Sequence, residues 1–154
     1  MTRVAPACAE CGAEQPEGGA CRACFHALLA YEAERPAAFG AVHHLTVATY
    51  FLQHPAGYTP RALDAWHALV DDALGGRASV AELRERMGRE FAGAARTREP
   101  GATPPTHWPA RWPLSVRDVI DPRQPLPEPD EYVARALRWA AAARDTLAAV
   151  HGAR

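Results

Sequence analysis

Residues 41–55 read AVHHLTVATYFLQHP, a run without Asp, Glu, Lys or Arg. At about 100° per residue, His43, Val47, Tyr50 and His54 fall on one stripe, with Leu45, Thr49 and Leu52 opposite and Phe51 beside His44. Val, Thr, Tyr and Phe also favour strands, but the length and the lack of strict alternation argue for a helix. A helix that is apolar nearly all round packs on several sides, which places this one at the centre of a bundle. His43 and His54 share a face, yet a rise of about 1.5 Å per residue sets them roughly 16 Å apart. One metal ion cannot take both. His43 and His44 read as packed, hydrogen-bonded histidines, whereas Pro55 ends the helix and leaves His54 near a loop.

Upstream, Cys8-Ala-Glu-Cys11-Gly12 reads as a knuckle, in which two thiolates reach one ion and Gly12 lets the backbone turn left-handed. Cys21-Arg-Ala-Cys24 follows nine residues later. Cys-x2-Cys-x9-Cys-x2-Cys is a zinc pattern, and four thiolates would close a tetrahedron with no open position for substrate. From Cys24 a helix is expected to about Glu34, with Phe25, Leu28, Leu29 and Tyr31 apolar and Pro36 as the break. If it forms an antiparallel hairpin with the central helix, Gln53 and His54 come to the cysteine head and His43 lies at the far end.

Downstream, Thr59-Pro60 is a helix start, with Leu63, Trp66, His67, Val70 and Leu74 on one stripe and Gly75-Gly76 as the stop. Ser79 to Glu82 is a capping box opening a helix with Val80, Leu83, Met87 and Phe91. Residues 93–107 read as an exposed linker. Trp108 and Trp112 pin the next proline-rich stretch to the body, since indoles bury well. Ser115 to Asp118 caps a short helix. The last helix runs from about Asp130 to His151, with Tyr132, Ala136, Leu137, Trp139, Ala140, Ala143, Leu147 and Val150 as its apolar face. The expected architecture is all-α: one domain over 1–154, with a zinc head (1–24) packed on a helical body (25–154).

At 154 residues and 48% hydrophobic content the chain can bury a core. The net charge of −1 gives no pull toward nucleic acid or anionic lipid. All basic residues are arginine, and lysine and asparagine are absent, a bias of GC-rich bacterial genomes. No secretion signal or run of about 18 apolar residues is present, so a cytoplasmic protein is expected, and clustered cysteines there point to metal before disulfides.

Cys8, Cys11, Gly12 and Cys21, followed by His43, Leu45, Val47, Thr49, Tyr50, Leu52, Gln53, His54 and Pro55, resemble the pattern of an uncharacterised bacterial family, a domain of unknown function. Thr59-Pro60, Arg111-Trp112-Pro113 to Val119, and Trp139 are similar as well. The resemblance implies no activity. It implies Cys8, Cys11 and Cys21 as the regular cysteines, with Cys24 less so. The fourth ligand is therefore Cys24 by spacing, with His26 and His54 as competitors.

The leading functional expectation is a non-enzymatic module whose zinc is structural and which serves a protein partner. The alternative is a metal-dependent enzyme with His43, Tyr50 and His67, and an acid such as Asp71 or Asp72, around a pocket on the central helix. That spacing matches no catalytic motif. Nucleic-acid binding by the head is disfavoured, because Arg3 and Arg22 face Glu10, Glu14 and Glu17.

Overall fold

The computed structural model describes residues 4–16, 20–92 and 97–152. Among them are seven helices: α1 Cys21–Glu34, α2 Pro36–Phe39, α3 His43–Gln53, α4 Pro60–Leu74, α5 Val80–Ala92, α6 Val116–Val119 and α7 Pro129–Gly152. The only extended pairings among the described residues are two isolated antiparallel bridges, Ala7 with Glu14 and Tyr58 with Arg98. The fold is all-α, as the periodicity predicts.

Helix ends follow their local chemistry. The Thr59 hydroxyl accepts from Ala62 N with Pro60 in the first turn. At α5, Ser79 N donates to Glu82 Oε2 at 2.7 Å while Glu82 N donates back to Ser79 Oγ, the reciprocal pairing of a capping box. Ser115 and Asp118 repeat it at α6. Pro36 ends α1 as expected and then opens the extra turn α2, because its fixed φ suits a first helical position.

The central helix sits between two apolar clusters. One gathers Phe25, Leu28, Tyr31, Phe39, Val116, Val119, Tyr132 and Trp139 with Cys11, Cys21 and Cys24. The other gathers Leu45, Ala48, Leu52, Leu63, Trp66, Leu69, Leu83, Met87 and Leu147. Val47 and Phe51 of α3 pack against both, so α3 is the seam of the body. Ala136, Ala140 and Ala143 of α7 are fully buried, and their small size lets the helices approach closely. Leu137 does not belong to that face: one residue on from Ala136 is a turn of about 100°, which leaves it exposed. Val80 and Phe91 are likewise exposed at the ends of α5, whose buried residues are Leu83 and Met87, although the Phe91 ring still meets Phe51 and Trp66.

α1 and α3 meet in reverse order. Phe25 near the start of α1 stacks on Tyr50 near the end of α3, centroids 3.8 Å apart. Glu32 near the end of α1 bonds His43 and Thr46 at the start of α3. That antiparallel course carries the C-terminal end of α3 to the cysteine head.

Of the stretch 93–107, residues 93–96 lie outside the described residues. Thr97 to Ala102 run beside Gly57 to Thr59 and exchange backbone hydrogen bonds with them, including Glu99 N to Gly57 O at 2.9 Å. Trp108 Nε1 donates to Leu52 O at 2.8 Å, satisfying a carbonyl left over at the end of α3. Trp112 N donates to Cys11 O.

Candidate metal centre

The knuckle is built by its backbone. Cys8 N donates to Ala13 O at 2.7 Å and Gly12 N to Cys8 O at 2.9 Å, closing a loop that holds the first two thiols on one side. Gly12 has φ +76°, a left-handed conformation that costs an L side chain, and a Cβ there would meet Arg111 Cγ at 3.0 Å. The loop is tied to the body by Trp112 N on Cys11 O, by Arg117 Nη1 on Glu14 O at 2.6 Å, and by Glu10 Oε1 accepting from Ala56 N at 2.8 Å.

Four side chains converge there. The ligand atoms of Cys8, Cys11, Cys21 and His54 all lie within 4.8 Å of one another. The sulfurs of Cys11 and Cys21 are 3.5 Å apart, and tetrahedral zinc with sulfur bonds of about 2.3 Å needs separations of roughly 3.8 Å. None of the four cysteines is in a disulfide.

His54 completes the set through its tautomer. It caps α3, and its ring Nδ1 lies 2.9 Å from Tyr50 O, where it can only donate. That leaves Nε2 as the basic nitrogen, and Nε2 is buried without a hydrogen-bond partner among the described residues. A buried unpaired imidazole nitrogen costs free energy, and a metal ion would satisfy it. Tyr50 stacks on the ring at 4.1 Å and is itself sandwiched by Phe25, which fixes the imidazole plane. A ligating histidine whose other nitrogen donates to a carbonyl is the usual arrangement.

Of the clustered thiols, Cys11 is the one set for deprotonation. Cys11 is held down to about 4, first by its hydrogen bond with Cys21, against the opposing effect of burial, and further by neighbouring His54. Cys21 is raised, chiefly by the same hydrogen bond. The pair shares one proton with the thiolate on Cys11, and a thiolate is the form that binds metal.

Cys24, the fourth ligand by spacing, is not in this group. It lies one helical turn beyond Cys21 in α1, fully buried, and its thiol is pushed up to about 11 by burial and then by Asp121. The influence of Asp121, Arg117 and Arg123 on it places Cys24 on the side facing α6 and the loop after it. His26, the other competitor, is exposed.

The weak catalytic candidates go separate ways. Tyr50 is half-buried beside the cluster, and burial raises its hydroxyl first, with Cys21 and Cys8 adding to it. His67 meets His151 edge-on at 5.3 Å. Asp71 and Asp72 are bound to Arg77, and Asp72 also to Arg86. His43 is engaged by Glu32 at 2.6 Å. The Glu32 role was not visible in the sequence, where a lone acid near a helix end carries no signature.

The His43–Glu32 contact has a pH consequence. His43 is raised above its ordinary value, first by the hydrogen bond to Glu32, with burial and Arg84 opposing. A raised histidine stabilises the fold fully below its unfolded value of about 6.5, and the contribution is lost as pH rises through the higher folded value. Because the ring is 44% exposed, solvent screening keeps that contribution small. In an NMR titration the His43 ring should therefore titrate above about 6.5 and move down in Glu32→Gln. A midpoint at or below 6.5 in the parent chain would contradict the pairing.

An all-helical body on which three cysteines and one histidine lie close enough to hold a metal ion defines a class: a small helical protein with a candidate metal site. The chain belongs to the family of unknown function DUF5946, whose model matches residues 6–148. The match takes in the cysteine head, the central helix and nearly all of α7. No curated protein and no solved structure matches the chain.

Proposed function

We propose that the chain is a zinc-binding helical protein whose ion is structural, held by Cys8, Cys11, Cys21 and His54, and that it acts as a protein-interaction module in the cytoplasm. The observation that carries the reading is the buried, unpaired Nε2 of His54 among three cysteine sulfurs. Three soft thiolates with one imidazole suit zinc, and together they fill all four tetrahedral positions. A closed set leaves no place for a substrate or an activated water, which favours a structural role over metal-dependent catalysis. The ion would join three pieces distant in sequence: the knuckle, the start of α1 and the end of α3. Reduced thiols fit a cytoplasmic setting. The near-neutral charge argues against nucleic acid as the partner, and no helix among the described residues is long and apolar enough to cross a membrane.

Metal analysis of the purified chain should find about one zinc per protein, with no exchangeable water on the ion. Absence of zinc, or a second bound ion with an open position, would reject the structural-site reading.

A further inference from the structure

A second site lies away from the candidate metal centre, where the end of α1, α2, the start of α3 and Arg84 of α5 line a half-open cavity of about 400 Å³. Leu29, Pro36 and Phe39 form its apolar wall, and His43, His44 and Arg84 supply its polar side. Behind it stands Glu32, only 3% exposed. A carboxylate buried that deeply requires donors, and it has three: Thr46 Oγ1 at 2.8 Å and Tyr132 OH at 2.6 Å on Oε1, and the His43 ring at 2.6 Å on Oε2. The Tyr132 hydroxyl keeps its proton, raised first by burial and then by Glu32 itself.

Helix packing alone would be served by Glu32 with the two hydroxyls. The third contact commits Nδ1 of His43 and leaves Nε2 as the edge of a half-exposed ring that lines the cavity. Next to it, Nδ1 of His44 is buried with no hydrogen-bond partner among the described residues. Burial, then His43 and Arg84, lower His44. Glu32 offsets the charge of a protonated His43, so Arg84 leaves the polar side with one net positive charge. An apolar wall facing such a polar side matches one kind of molecule.

We infer that this cavity binds a small molecule with an apolar body and a single carboxylate, the carboxylate being received by His43 and Arg84. His43 is a positioned cationic donor, aligned by Glu32 as a buried carboxylate aligns an imidazole. Arg84 comes from α5 and can pair with the carboxylate through two N–H groups. The cavity volume lies within the range of small-molecule sites. The inference does not depend on the identity of the metal-centre ligands.

The test uses the full chain with zinc bound, at pH about 6.5, where an imidazole is substantially protonated. 4-Phenylbutyrate is titrated while the ring resonances of His43 and His44 are followed, with 4-phenylbutan-1-ol as the neutral match. The acid should bind with a dissociation constant on the order of 1 mM, as expected for a ligand of its size, and the alcohol roughly tenfold or more weakly. Arg84 is exposed, so Arg84→Gln should fold normally and weaken the acid by roughly tenfold, leaving the alcohol unchanged. His43→Gln, which can still donate to Glu32, should do the same. Equal affinity for acid and alcohol, the absence of saturable shifts at both rings, or parent-like binding by both variants would each overturn the inference.

Discussion

Cys11→Ser should strip the chain of its metal and release the head from the body. Cys11 is buried, contributes the thiolate of the Cys11–Cys21 pair, and holds Trp112 through its carbonyl. A serine hydroxyl is a poor zinc ligand at neutral pH because it remains protonated, so one bond of four is lost and its neighbours lose their reason to converge. Structural zinc contributes on the order of 10 kcal/mol to folding in small zinc domains. Even a fraction of that exceeds what the knuckle, with few apolar side chains of its own, can supply. Zinc retention after chelator challenge should fall by orders of magnitude, and amide exchange should show residues 7–14 unprotected while α4 and α7 stay closed.

The contrast with His54→Ala and Cys24→Ser identifies the fourth ligand. His54→Ala should lose tight binding as Cys11→Ser does, since three cysteines alone leave one position to water. Cys24→Ser should keep its zinc and show only a modest stability loss, on the order of 1–2 kcal/mol for burying a hydroxyl where a thiol packed. The reverse pattern, zinc lost with Cys24→Ser and kept with His54→Ala, would assign the fourth bond to the cysteine and remove the case for a centre of three cysteines and one histidine.

Why spacing favoured Cys24 has a physical answer. Cys-x2-Cys is read as a knuckle because both thiols can face one ion across a turn, and Cys8 with Cys11 does so. Cys21 and Cys24 instead fall in the first turn of α1, where side chains three apart diverge by about 60°. One sulfur faces the knuckle and the other faces α6. The sequence places the helix start at Cys24, whereas α1 starts at Cys21 and so takes both cysteines onto one helix. His54 was legible for a different reason: Pro55 marks the end of α3, and the antiparallel course of α1 and α3 follows from the short connection between them. The caps at Thr59, Ser79 and Ser115 are local chemistry and could be read directly. The Glu32 cluster could not. Its four members lie on three helices, with Tyr132 100 residues from Glu32, and nothing in one-dimensional periodicity joins them.

Trp139→Ala should be the most damaging change away from the metal. Trp139 is fully buried on α7 within the first apolar cluster, and emptying such a site costs about 3–5 kcal/mol through lost burial and the cavity left behind. That is a large share of the roughly 5–15 kcal/mol holding a domain folded. A second loss adds to it. The indole Nε1 donates at 3.0 Å to Gln53 Oε1, while Gln53 Nε2 donates at 2.8 Å to Leu114 O. Gln53 thus bridges α7 to the segment before α6 from the last residue of α3, one position before His54. Trp139→Phe keeps most of the volume and leaves only the Gln53 oxygen unpaired, so it should cost about 1–3 kcal/mol. Gln53→Leu should cost a similar amount, because it leaves the indole N–H and Leu114 O buried without partners. The double variant Trp139→Phe/Gln53→Leu should cost less than the sum of the two by about 1 kcal/mol, since the hydrogen bond can be lost only once. Urea unfolding at saturating zinc measures all four. Strict additivity of Trp139→Phe and Gln53→Leu, or a loss under about 0.5 kcal/mol for Trp139→Phe, would show that the indole is held by its packing alone and that Gln53 does not couple α7 to the end of the central helix.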